Sequence, residues 1–177
     1  MEWRGASLAM LPMEMWDRAQ ALHLERKFDE AEALYDQLLT QNPTNPGLLA
    51  SLGTLYLQSD KLGLAICLLQ ASLAHGSKQS DVLSNLALAY KYSGQRDKAM
   101  ALFEESINGD PSAETLSNYS ALFVESGDSQ KSRDICNRAI ALNPELPIAH
   151  WNLALALLGD GMWETAWDEH EWGLKTM

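Results

Sequence analysis

The chain has 177 residues, 46% of them hydrophobic and 21% charged, with a formal net charge of −11. These values suit one folded domain or a short array of repeated units, and they exclude a disordered chain. The acidic balance argues against a nucleic-acid partner, which calls for clustered Lys and Arg, and the two cysteines, Cys67 and Cys136, make no disulfide scaffold.

Residues 1–11 read as an N-terminal extension carrying Trp3, Leu8 and Leu11, suited to tucking into a neighbour's groove. The extension lacks the basic start and compact apolar stretch of a secretory signal, so the expected location is a reducing, cytoplasmic compartment. From residue 12 onward a period near 34 organises the sequence. Small residues recur at Ala19, Gly53, Ala87, Ser120 and Ala154, and again at Ala31, Ala65, Ala99, Ser132 and Ala166, both series stepping by 34, 34, 33 and 34. Three residues beyond each member of the first series stands a large apolar one: Leu22, Tyr56, Tyr90, Phe123 and Leu157.

Five units follow from these series. The first, 12–45, ends near Pro43. The second, 46–79, opens within an uncharged stretch from Gln37 to Ser59, but the Pro and Asn residues of that stretch break it too often for a membrane span. In the third, 80–112, Leu83, Leu86, Ala87 and Tyr90 form a helical stripe, Gly94 breaks it, and Ala99, Leu102, Phe103 and Ile107 form a second. Asp110-Pro111 then stops the unit, because Pro cannot continue a helix and restricts the residue before it. The fourth, 113–146, begins 33 residues after the third, one short of the usual step. The fifth, 147–177, gathers Trp163, Trp167 and Trp172 on its last helix. Each unit is thus a pair of antiparallel helices that must stack on its neighbours to bury its apolar faces.

The pattern resembles the tetratricopeptide repeat (TPR) family over essentially the whole of 12–177, with Leu49, Leu52, Gly53, Tyr56, Ala65 and Leu69 standing where the family places its packing residues. The resemblance implies an all-α, right-handed superhelical solenoid of about five helix-turn-helix repeats, whose first helices line a concave groove that takes ligands. On that phasing the sixth residue of each unit faces the groove: Asp17, Ser51, Asn85, Asn118 and Asn152. A carboxamide offers both a donor and an acceptor, so the row Asn85, Asn118, Asn152 suits the backbone of an extended peptide. The row resembles the asparagine ladder of O-linked N-acetylglucosamine transferases; the alternative is that these amides cap or bridge adjacent helices. Trp151, Leu88, Tyr92 and Leu155 are the candidate apolar anchors beside them. A clamp for acidic chaperone tails is disfavoured, since Ala50, Thr54, Asn85, Glu114 and Asn118 stand at its five positions and only Asn85 fits. Asp17, Asp81, Glu114 and Glu125 outweigh Lys91 along the groove, which favours a neutral or basic guest.

No Gly-rich phosphate loop or paired-His motif occurs, so no catalytic residue, metal or cofactor is expected. Asp168-Glu169-His170-Glu171 fans out around a helix and cannot converge on one ion, and His170 shares the packing phase of Tyr35, Leu69, Phe103 and Cys136. Trp163, Trp167, His170 and Leu174 form a stripe expected to pack on the preceding helix, leaving Trp172 exposed at a sticky, uncapped end. The expected function is a non-enzymatic protein-interaction scaffold. Two alternatives remain: a self-assembling module using Trp163, Trp167 and Trp172, and a substrate-recruiting arm. The latter rests on the resemblance of residues 159–172 to the last repeat of bacterial TPR-glycosyltransferases.

Overall fold

The structure, a computed structural model, describes residues 12–77 and 80–175; the extension carrying Trp3, Leu8 and Leu11 lies outside them. The chain divides into two compact units, residues 1–77 and 78–177. Among the described residues there are ten helices and no strand.

The first unit holds α1 (Pro12–Leu24), α2 (Phe28–Gln41), α3 (Pro46–Gln58) and α4 (Leu62–Ala74). Here α1 pairs with α2 and α3 with α4, and α2 packs on α3. The second unit holds α5 (Ser80–Tyr92), α6 (Arg96–Ile107), α7 (Ala113–Ser126), α8 (Ser129–Leu142), α9 (Pro147–Gly159) and α10 (Trp163–Lys175). These form three hairpins, α5/α6, α7/α8 and α9/α10, with α6 on α7, α8 on α9, and the first helices α5, α7 and α9 side by side.

Small residues set how closely the helices approach. Ala19, Ala87, Ser120 and Ala154 are buried, as are Ala31, Ala65, Ala99, Ser132 and Ala166. Gly53 shows why: a Cβ there would stand 2.8 Å from Leu69 Cγ across the α3–α4 contact. The large partners Leu22, Tyr56, Tyr90, Phe123 and Leu157 fill the space between, and all are buried. Hydroxyls close the hairpins as well, with Ser72 Oγ donating to the Pro46 carbonyl at 2.8 Å and Ser106 Oγ to that of Ser80 at 2.8 Å.

One turn closes each of the five hairpins. The backbone N–H groups of Lys27, Lys61, Gln95, Asp128 and Met162 return to the carbonyls of Leu22, Tyr56, Tyr90, Phe123 and Leu157 at 2.8–3.0 Å. The residue before each donor is left-handed: Arg26 and Asp60 at φ 60°, Gly94 at 78°, Gly127 at 76° and Gly161 at 74°. This is the Schellman stop, which satisfies carbonyls the helix leaves open. Glycine adopts it without strain, whereas a side chain there costs about 1–2 kcal/mol. Asp60→Gly is therefore expected to stabilise the first unit by about 0.5–1 kcal/mol, after allowing for glycine's freer unfolded state. A urea midpoint that falls would contradict the assigned turn.

Between the two hairpins of the first unit, Tyr56 donates to Glu32 Oε1 at 2.8 Å and Lys61 to Glu32 Oε2 at 2.9 Å. The Lys61 and Tyr56 hydrogen bonds hold the Glu32 carboxyl low, while burial and Glu32 push the Tyr56 hydroxyl up to about 12. His23 sits edge-on to Phe28 and Tyr35, with its Nε2 buried and unpartnered. Burial lowers its pKa, against a smaller upward pull from Gln58. The folded ring is therefore kept neutral, and the unfolded chain binds its proton first as the pH falls below about 6.5. The stabilisation from neutral His23 is complete above that value and is lost as the pH drops toward the lower, folded pKa. Unfolding midpoints between pH 7.5 and 5.5 should fall more steeply for the native chain than for His23→Phe, and parallel slopes would refute this.

Candidate functional site

In the second unit, α5 and α7 enclose an open hollow of about 350 Å³, lined by Asp81, Ser84 and Asn85 from one helix and Glu114, Thr115 and Asn118 from the other, with Ser112 at its edge. Its construction is local. Ser112 caps α7, its Oγ accepting the Thr115 N–H at 3.2 Å, which fixes where the first turn begins. Asp81 and Glu114 are first-turn acids, the sign that a helix N-terminus favours. One turn further along, on the same faces, stand Asn85 and Asn118. Each helix thus offers a carboxylate and then a carboxamide to the same space.

At the far ends of these helices Lys91 pairs with Glu125 at 2.7 Å, and Arg96 reaches the same carboxylate at 3.4 Å while also donating to the Leu122 carbonyl. Lys91 and Glu125 therefore offset one another, and Asp81 and Glu114 set the charge of the hollow.

The remaining candidate groove residues are placed differently. Ser51 belongs to the first unit, half-buried and hydrogen-bonded to Tyr35. Asn152 is sealed at 5% exposure, its Nδ2 donating to the Ser117 carbonyl at 2.9 Å and to Ser120 Oγ at 3.1 Å. Small, polar Ser117 and Ser120 on α7 let α9 close in, so the third amide ties two helices together and is not offered to a guest. The hollow thus joins two of the three asparagines. Leu88 is half-buried, and Tyr92 is exposed beneath Lys91. Leu155 lies at the exposed margin, and Trp151, 37% exposed, leans on His170 at 5.1 Å.

On α10 the packing runs opposite to the sequence expectation. Trp163 and Trp167 are 61% and 56% exposed, whereas Trp172 is half-buried and stacks on His150 with ring centroids 3.7 Å apart. The close face of α10 is set by its small residues: Ala166 is buried, and a Cβ on Gly173 would stand 3.5 Å from the Pro147 carbonyl. Bulky Trp163 and Trp167 lie round the helix from that seam.

A second group escaped the sequence reading. His150, buried on α9, has Nδ1 2.5 Å from Glu169 of α10 and Nε2 2.9 Å from the Pro144 carbonyl. Beside it, Gln130, Arg133 and Asp134 of α8 and Thr165 of α10 border a hollow of about 380 Å³ over Leu153 and Leu157. The only advance signal was a His in a first helix otherwise rich in apolar residues. Cys136 is buried beside Ser132, and burial pushes its thiol up, the reverse of what a nucleophile needs. Among the described residues no group of three or more His, Cys, Asp or Glu is placed to hold a metal, and no helix is long and apolar enough to cross a membrane.

Helices paired in hairpins and repeated along the chain define an all-α repeat fold. The hairpins are tetratricopeptide repeats: models of that repeat match residues 15–46 and 82–114, and the chain belongs to the tetratricopeptide repeat family. Solved structures agree on the fold. MamA is 19% identical, with 89% of this chain and 93% of that chain covered at a TM-score of 0.72. A thermophilic TPR protein of Thermus thermophilus is 18% identical, with 94% and 91% covered at a TM-score of 0.80. YrrB, described as a TPR protein with an unusual peptide-binding site, is 14% identical, with 94% and 87% covered at a TM-score of 0.65. No curated protein sequence matches the chain. Repeats of this kind build protein-interaction surfaces, and that is the class of work the fold supports.

Proposed function

We propose that the chain is a non-enzymatic scaffold, with residues 12–177 acting as five repeats (12–45, 46–79, 80–112, 113–146 and 147–177). On this reading the α5–α7 hollow grips an extended, neutral or basic segment of a partner protein. The observation that carries it is the joint lining of Asn85 and Asn118 with Asp81 and Glu114. The carboxamides suit backbone N–H and C=O groups of a passing strand, and the carboxylates suit a Lys or Arg side chain beside them. YrrB is described as having an unusual peptide-binding site, and its shared fold supports the reading by analogy.

Each net hydrogen bond contributes about 1 kcal/mol, so replacing both asparagines is expected to weaken binding roughly thirtyfold. The test screens a library of unstructured, Lys-bearing peptides against the native chain and Asn85→Ala/Asn118→Ala by calorimetry. Glu114→Gln is expected to flatten the salt dependence of the best binder. Equal affinity for native and doubly substituted chains, with helicity unchanged, would end this reading.

A further inference from the structure

Exposed apolar residues on the last hairpin form one face: Trp163, Trp167 and Leu174 of α10, at 61%, 56% and 55%, with Ile148, Trp151 and Leu155 of α9. The repeat register tells what such a face meets. One unit earlier, Trp167, His170 and Leu174 correspond to Arg133, Cys136 and Ile140 of α8, and Trp151 to Ser117 of α7. All four of those are engaged by α9 and the turn after it. Cys136 and Ile140 pack with Leu153 and Leu157, Arg133 pairs with Asp160 at 3.1 Å, and the Ser117 carbonyl accepts from Asn152. Of the positions that α9 covers on the fourth hairpin, three are large, apolar and exposed on the fifth, Trp151, Trp167 and Leu174, with His170 half-buried between the two tryptophans.

We propose that this face is a second docking site, distinct from the hollow, and that its occupant is an amphipathic helix of another protein with basic flanks, seated as α9 sits on α7 and α8. Two arguments choose that occupant. The first is continuity: inside the chain the matching face takes a helix, α9, that presents Ala149, Leu153, Ala156 and Leu157. The second is charge. Exposed Glu164 and Glu171 border one edge of the tryptophan stripe, on a chain of net charge −11, so Lys or Arg at the edge of an incoming helix meets opposite charge.

A second copy of this chain fits less well in either orientation. Joined head to tail, it would offer α1, which carries exposed Glu14, Asp17 and Arg18 where α9 has Ala149, Asn152 and Leu153. Burying those charges against indole rings is unfavourable without partners. Joined tail to tail, the Glu164 and Glu171 edges of two acidic chains would meet. A well-packed Trp is a common anchor of such contacts, which makes Trp163 and Trp167 the residues to remove.

The probe is a synthetic helix with an Ala/Leu stripe of the α9 pattern and Lys at the flanking positions, set against a twin with Glu there. Binding to the full chain is followed by calorimetry and by the blue shift of tryptophan emission. The Lys helix is expected to bind at least about tenfold more tightly than its twin, and Trp163→Ala/Trp167→Ala to weaken it by at least about tenfold with unchanged circular dichroism. Asn85→Ala/Asn118→Ala should leave this binding unaltered, so failure of the hollow and failure of this face are told apart. Three results overturn the proposal: equal binding of the two helices, no loss on removing the tryptophans, or a dimer in sedimentation that disappears with Trp167→Ala and so assigns the face to a second copy.

Discussion

Truncating Phe103 to alanine is expected to destabilise the second unit by about 3–5 kcal/mol, the usual cost of emptying a fully buried aromatic site. Phe103 has no solvent exposure, and its ring lies 5.7 Å from that of Tyr119, which in turn meets Phe123 edge-on at 5.0 Å. The three rings tie the end of α6 to the middle of α7, so the cavity would open where one hairpin rests on the next. Helices on both sides already touch through small residues and have little room to collapse into the gap. Trp167→Ala provides the contrast: a larger side chain is removed, yet its ring is 56% exposed, and the change in stability should stay within about 0.5 kcal/mol. Urea unfolding of both variants measures the pair. Equal losses would mean that the burial described for these two rings is wrong.

Replacing His150 by alanine should cost about 2–4 kcal/mol, and the loss should concentrate on α10. The imidazole meets acceptors at both nitrogens, Glu169 and the Pro144 carbonyl, while Trp172 covers its face. The substitution removes a hydrogen bond to a charged group and an aromatic stack together, and it leaves the Glu169 carboxylate half-buried without its partner. Hydrogen exchange locates the effect: amides of residues 163–175 should exchange faster in His150→Ala, while those of α5 and α6 keep their native rates. Uniform acceleration across the second unit would indicate that His150 supports the core as a whole and does not anchor the last helix.

The fold was legible because spacing alone carries it. Ala31, Ala65, Ala99, Ser132 and Ala166 mark where two helices touch, and their fixed period sets the succession of helix pairs. The groove was harder to read. Asn85, Asn118 and Asn152 share one phase, and phase gives a direction around a helix but not the distance to the next one. Ser117 and Ser120 shorten that distance at α9 and supply acceptors, so Asn152 turns inward while its two counterparts line the hollow. On α10 side-chain bulk marks the tryptophan stripe as the side to bury, and the structure leaves it exposed. Close packing is decided by what fits, and Ala166 and Gly173 fit where Trp163 and Trp167 cannot. The His150 group was invisible for a different reason. Its partners stand 6 and 19 residues away in sequence, with no motif linking them.

The five left-handed stops bear on how the protein is made. Each is closed by a hydrogen bond within six residues and joins two helices adjacent in the chain. A segment leaving the ribosome therefore carries the bonds that turn it back on itself, and the next hairpin to emerge supplies the face on which it packs. Contacts of such short sequence separation favour rapid, stepwise folding from the N-terminus. Translation speed, rather than a search for remote partners, would then pace the birth of the molecule.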